Sequence, residues 1–421
     1  MRTKLALGSV VSLLLPSDAL AAPTQITIWM VSNGPIDNIW KAATQSFDHS
    51  HPNIDAQIKF LSNDAYKQKI QIALLAHNPP TVFYGWGGGL MASYVKAGEV
   101  LNLTPMLKNS GSRYFPAVFD PIRLNGSYYG IPNQGSQPEV VFYNKAMFTK
   151  YHLSVPKTYP QFLEVASTLR EHGVAPFAVG GRDQWPELEW FMYFVDRLGG
   201  PAVLQGIVDH KAEAWSNPAV LKAGQMIQQL VKAGDFIKGY AGVSADENQD
   251  VALVYAGKAA MLLQGSWVYP TFLSSDPSFT KQDLGEFTFP SIPGGKGNPN
   301  DLMGNPSTYF YIAASASKAQ QQAAKTYLAD VPFTKTMNKQ LLSEGVVPPV
   351  KGIDSQVAGA PHAAYLSFIY HIASKAPVFQ EGWDQALSPS VAQSLLSNLS
   401  EMFLLKMTPA QFAAAMNATL K

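Results

Sequence analysis

The stretch QITIWMV, residues 25–31, is an unbroken apolar and β-branched run, and Ser32-Asn33-Gly34-Pro35 interrupts it. That pattern predicts a buried strand ending in a turn. IDNIWKAATQSFDHSHP follows with apolar residues at helical spacing (Ile36, Ile39, Trp40, Ala43, Phe47) and stops before Pro52. NIDAQIKFL alternates like a second strand, AYKQKIQIALLAHNPP reads as a helix ending at Asn78, and TVFYGW reads as a third strand. Strands alternating with helices imply parallel pairing and an α/β fold. Ligands of such sheets sit beyond the carboxyl ends of the strands, here 32–34 and 84–89.

From Tyr128 the pattern changes. YYGIPNQGSQPEVVFYN places Gly130, Pro132, Gly135 and Pro138 between two strand-like pieces, as a connection between two lobes would. Helices are predicted over 159–172, 188–198 and 218–233, and a strand after Lys258. The turn-rich segment around PSIPGGKGNPNDLMGNPS leads into a strand at 309–313 and reads as a second crossing, with EGVVPPVKG as a third. Near the C-terminus, Thr408 and Pro409 stand as N-cap and first residue of a last helix.

The segment GWGGGLMA after the third strand resembles a phosphate-binding loop only in its glycines. Leu90, Met91 and Ala92 stand where such a loop needs lysine and hydroxyl, and Leu90 occupies the last glycine position of a dinucleotide fingerprint. Both nucleotide readings fail. The glycines are then expected to let the backbone approach a ligand, with Trp86 beside it. His49 and His51 lack helical i,i+4 spacing and an acidic partner set, so no metal is expected, and no cofactor. Gly265-Ser266-Trp267 lacks the elbow of a serine nucleophile.

Composition narrows the ligand. The 421 residues include 31 Lys and Arg against 30 Asp and Glu, a net charge of +1, which gives no footprint for nucleic acid. Only 14% of residues are charged while 11% are aromatic, a balance that suits a neutral, hydroxyl-rich ligand. The N-terminus, MRTKLALGSVVSLLLPSDALAAP, has the charged start, apolar stretch and small-x-small site of a secretory signal peptide over 1–21. With no cysteine in the chain, neither a disulfide nor a lipid anchor at the cleavage site is available, and a periplasmic address is expected.

Five tryptophans, Trp86, Trp185, Trp190, Trp267 and Trp383, neighbour Gly, Pro, Gln or Glu where turns are expected, unlike Trp40 inside its periodic run. Aromatic faces at such places can stack on a pyranose while Asn, Gln, Asp and Glu bond its hydroxyls. Glu187 and Glu189 in WPELEW are two apart on a helix and point in different directions, unlike a glycosidase pair. They read as one surface glutamate and one that faces ligand.

The blocks ITIWMVSNG, FDHSHPNIDAQIKF and YKQKIQIALLAHNPPTVFYGWGGGLMASYVKAGEVLNLTPML occur in this order in the N-terminal lobe of family-1 extracellular solute-binding proteins. These are the sugar receptors of ABC importers, related to the maltose-binding protein. The resemblance runs on through YGIPNQGSQPEVVFYN, AGKAAMLLQGSWVY, PSIPGG and TPAQFAAAM, nearly the whole chain after residue 21. One departure is Thr81 after Pro80, where the family commonly has aspartate.

The resemblance implies a two-lobed α/β periplasmic binding protein of type II, with discontinuous lobes and a hinge of several crossings. The first lobe would hold 22–135 and 291–345, the second 136–290 and 346–421. By position, the resemblance implies ligand contacts from Asn33 and Gly34, Trp86 and Gly87, Gln137, Trp185 and Glu187, Trp267, Gly304 and Asn305, and Trp383. It implies a monomer that closes on a neutral mono- or oligosaccharide and delivers it to membrane permease subunits, without chemistry of its own. A polyol or glycerophosphodiester is the nearest alternative, with Arg182 and Arg113 available for a phosphate. A secreted glycoside hydrolase is the alternative of a different class.

Overall fold

The computed structural model describes residues 22–420. The signal-peptide expectation at 1–21 lies outside the described residues. Strand β1 (Thr24–Val31) is followed by helix α1 (Ile36–Ser50), β2 (Ile54–Leu61), α2 (Asn63–Leu75), β3 (Val82–Gly85) and α3 (Gly88–Lys96). Strand β1 pairs in parallel with both β2 and β3, in register from Thr24 opposite Ile54 to Val31 opposite Leu61. Its buried residues, Ile26, Ile28 and Met30, recur at the two-residue period of a strand, and Ile36, Ile39, Trp40 and Phe47 of α1 cover that sheet at helical spacing.

A short strand β4 (Ile131–Pro132) leads out of this first lobe into β5 (Gln137–Asn144), the centre of a second sheet. Strand β6 (Ala175–Ala178), helix α4 (Trp185–Gly199), β7 (Ala259–Gly265), β8 (Leu284–Phe287) and β9 (Leu302–Asn305) follow. The chain then returns as β10 (Tyr309–Ile312) to lie antiparallel between β3 and β4, and comes back once more as β11 (Phe379–Gln380). The sheet orders are β2-β1-β3-β10-β4 and β11-β9-β5-β7-β6, with β8 on β5. Helices α5 (Trp383–Ala386) and α6 (Pro389–Phe403) follow β11. Part of the 291–345 stretch expected in the first lobe, namely β9, pairs in the second sheet, so the chain changes lobes between Asn305 and Tyr309.

Three passages link the lobes and are bonded to one another. The Asn133 N–H donates to Thr308 O at 2.9 Å, and Ser307 Oγ donates to Gln134 O at 2.9 Å. The Ser136 N–H donates to Val347 O at 2.8 Å. A Cβ on Gly135 would stand 2.6 Å from Val347 O, so only glycine allows the first and third passages to lie this close. The hinge is therefore a narrow, cross-braced ribbon rather than a flexible linker, and it fixes the axis about which the lobes can move. Thr408 caps the last helix, its Oγ1 accepting from the Gln411 N–H at 3.3 Å, as the sequence pattern predicts.

Candidate functional site

The carboxyl ends of β1, β2 and β3 face the second lobe across a cavity of about 410 Å³. The first lobe contributes Val31 to Gly34, Ser62, Asn63, Lys67, Tyr84 and Trp86 to its wall. Asn33 is held by the start of α1: Asp37 Oδ1 accepts from its N–H at 2.8 Å, and Asp37 Oδ2 accepts from Ser32 Oγ at 2.6 Å. Gly34 turns the chain at φ +54°, with open space where a Cβ would be. Trp86 stands edge-on to Tyr84, with ring centroids 5.0 Å apart, and Lys67 Nζ lies 5.3 Å from its ring centre. Tyr66 locks this corner by donating its hydroxyl to Tyr84 O.

At the hinge, Gln137 and Asn305 lie opposite each other on β5 and β9. Asn305 Nδ2 donates to Gln137 Oε1 at 3.1 Å, and Gln137 Nε2 donates to Gln134 Oε1 at 3.3 Å. From the second lobe, the Trp185 and Trp267 rings face the cavity 5.9 Å apart and inclined by 59°. Trp185 Nε1 donates to Asp246 Oδ1 at 3.2 Å, which fixes the plane of that wall.

Seven of the eleven positions implied by the resemblance line the cavity: Asn33, Gly34, Trp86, Gln137, Trp185, Trp267 and Asn305. The other four do not. Glu187 is fully buried on the far side of α4, beside Ser400 of α6, and Glu189 lines the cavity instead. Two residues along a helix turn a side chain by roughly 200°, so only one of the pair can face the cleft. The surface position expected for its companion is also corrected, because both glutamates are buried.

Trp383 belongs to the core of the second lobe. Its ring lies 5.7 Å from Phe191 and 6.0 Å from Trp215, and its Nε1 donates to Gln380 Oε1 at 3.3 Å. Its neighbours Gly382, Asp384 and Gln385 reach the cavity. Gly304 serves strand pairing: at φ +117° its Cα lies so close to β5 that a Cβ would meet Gln137 O.

Gly87 also does not line the cavity. A Cβ there would lie 2.6 Å from Pro121 Cβ and 2.7 Å from Glu381 Oε1, and one on Gly88 would lie 2.6 Å from Gln385 O. The glycines let the start of α3 approach the Glu381–Leu387 segment of the second lobe, where the sequence suggested close approach to a ligand. What they admit is the other half of the molecule.

Four acidic residues line the cavity: Glu139, Glu189, Asp246 and Asp384. Glu139 and Glu189 are each only 2% exposed. Glu139 Oε2 and both carboxyl oxygens of Glu189 have no hydrogen-bond partner. Burial pushes the Glu139 carboxyl well up, and the nearby Asp384 adds to it. Glu189 is raised by burial first, then by Glu139, Asp250 and Asp384. Glu139 had a sequence signal, since it stands two residues after Gln137 on one strand and must share its face. Lys67, Asn63 and Asp246 had none, because their approach depends on how the lobes meet.

The family of bacterial extracellular solute-binding proteins matches this chain over residues 33–329. An uncharacterized ABC transporter extracellular-binding protein of Pyrococcus horikoshii is 28% identical over 334 residues, 78% of this chain and 71% of that protein. The multiple sugar-binding protein of Streptococcus mutans is 23% identical over 336 residues, 76% of this chain and 73% of its own. A solved structure from work on xylan utilization by the thermophile Caldanaerobius polysaccharolyticus superposes with a TM-score of 0.84 at 29% identity, covering 94% of this chain and 100% of that one. A chitin oligosaccharide binding protein shares the fold with a TM-score of 0.85 at 24% identity, covering 94% and 98%.

Proposed function

This chain belongs to the bacterial extracellular solute-binding proteins of ABC transporters, and we propose that it holds a mono- or oligosaccharide between its lobes. The observation that carries this reading is the meeting of Trp86 from one lobe with Trp185 and Trp267 from the other around amide and carboxylate side chains. Flat aromatic walls suit the C–H faces of a sugar ring, and Asn33, Asn63, Gln137 and Asn305 supply donors and acceptors for its hydroxyls. The names of relatives agree with it: one is a multiple sugar-binding protein, and one solved relative comes from work on xylan utilization.

The ligand bridges both lobes, so it has contacts in the closed form that the open form lacks and shifts the population toward closure. The closed pair of lobe surfaces is then what permease subunits recognise. The protein acts as a monomer, exported under the direction of residues 1–21 and working in the periplasm. A phosphate-bearing ligand fits less well. Arg182 is engaged with Ser244 and Glu247, and Arg113 with Tyr114 and Pro332 O, and neither lines the cavity. The relatives named above as binding proteins favour retention of the sugar over its hydrolysis.

A thermal-shift screen against mono- and oligosaccharides, polyols and glycerophosphodiesters tests the proposal, because a ligand of the native state raises the apparent Tm. Stabilisation by saccharides alone is expected. Stabilisation by a glycerophosphodiester alone, or release of shortened oligosaccharide during incubation, overturns the reading.

A further inference from the structure

We propose that the saccharide carries a positive charge: the cleft is built for an amino sugar whose free ammonium group lies between Glu139 and Glu189. This rests on the saccharide reading above and narrows it, departing from the neutral ligand that the low overall charge suggested. The cavity wall holds four carboxyl groups and a single cation, Lys67, while the whole chain is balanced at 31 basic to 30 acidic residues. The acid excess is therefore local to the cleft.

The four acids are not equivalent. Asp246 is occupied by Asn63, by the Asp64 N–H and by Trp185. Asp384 accepts from Gln385 Nε2 at 2.6 Å and feels the charge of Lys67. Glu139 and Glu189 are the deep pair, almost without exposure and with three carboxyl oxygens unpartnered. The charged groups acting on Glu189 are Glu139, Asp250 and Asp384, and the one acting on Glu139 is Asp384, all of the same sign.

A buried polar group left without a partner is costly, and a buried charge without a counter-ion more so. Sugar hydroxyls donate hydrogen bonds to carboxylates but do not neutralise them. Burial and the acids around them push both carboxyls toward the neutral form in the unliganded cleft, and a neutral sugar supplies nothing that would let them ionise. An ammonium group supplies three donors and the missing charge at once. The tryptophan walls fit the same ligand, since indole faces attract cations, as Lys67 Nζ over Trp86 already illustrates.

The test compares ligands that differ in one group. The affinity of the exported protein, residues 22–421, is measured by calorimetry for glucosamine oligomers, their N-acetylated counterparts and the corresponding glucose oligomers, at a pH that keeps the amine protonated. The amine series is expected to bind at least about tenfold more tightly than both neutral series, with a preference that shrinks as salt is added. In Glu139→Gln and Glu189→Gln the ratio of amine to neutral affinity is expected to fall toward one. The wild-type comparison stands even where a variant fails to fold. Equal or tighter binding of a neutral series, or failure of the amine series to bind, overturns the charged-ligand proposal, whereas the saccharide reading stands or falls by the wider thermal-shift screen.

Discussion

Asn63 and Asp246 meet across the mouth of the cleft, Asn63 Nδ2 donating to Asp246 Oδ1 at 3.2 Å, although 183 residues separate them in the chain. The Asp64 N–H donates to the second oxygen of the same carboxylate, also at 3.2 Å. Asp246 in turn holds Trp185 through the indole N–H, and its own N–H donates to Asp183 Oδ2 at 2.9 Å. Closure and the orientation of one aromatic wall thus share a carboxylate.

Removing the donor that crosses the gap tests whether this contact stabilises closure. Asn63→Ala deletes a hydrogen bond to a charged acceptor, worth roughly 1–3 kcal/mol where it is well formed. Because the bond joins the lobes only when they are closed, ligand affinity is expected to fall by roughly 5- to 100-fold, while the Tm of the unliganded protein changes little. Small-angle scattering should show the unliganded variant more open than wild type. Unchanged affinity together with unchanged dimensions would sink the idea that the pair acts as a latch.

Trp267 offers a probe that leaves its own side chain in place. The indole lies on Gly265, and a Cβ there would overlap the ring. Gly265 has extended backbone, φ −66° and ψ 152°, so alanine is permitted conformationally and the clash alone is introduced. Gly265→Ala is expected to displace the indole and weaken saccharide binding by about tenfold or more, with an overpacking cost of roughly 1–3 kcal/mol. Trp267→Ala should lose most binding outright and leave the unliganded fold intact. Tryptophan emission and calorimetry read both effects. Wild-type affinity in both variants would remove Trp267 from the site.

Why some of this was legible and some was not follows from the period of each element. Strand β1 shows its buried face at every second residue, and α1 shows a stripe, so the first lobe could be read along the chain. Helix α4 is buried from Pro186 to Arg197, enclosed by the sheet and by other helices, and offers no polar face from which to orient it. Nothing in WPELEW says which glutamate turns toward the cleft, and the sequence reading chose Glu187 where Glu189 faces it. Trp383 misled for a related reason. The Glu-Gly pair before it suggested a turn beside the ligand, but the indole packs against Phe191 and Trp215 in the core of the second lobe, and Asp384 lines the cavity instead. The glycines after Trp86 are explained by a neighbour about 300 positions away, a relationship no local pattern carries.

The buried Glu187 predicts how stability changes with pH. Neither of its oxygens has a hydrogen-bond partner of ordinary geometry, and burial pushes the carboxyl from 4.5 up to about 8. A raised native value means that the folded chain prefers the protonated acid. The contribution of Glu187 is therefore fully present below pH 4.5 and is lost progressively as pH rises toward 8, beyond which no more is lost. Glu187→Gln keeps the shape and does not titrate. Its stability relative to wild type should rise between pH 5 and pH 8.5, by a few kcal/mol at most given about 1.4 kcal/mol per pH unit. Other buried acids, including Glu139, Glu189 and Glu381, titrate in both proteins and cancel in the difference. Urea unfolding of the two proteins at each pH measures it. A difference that does not change with pH would show that Glu187 is not held protonated in the folded state.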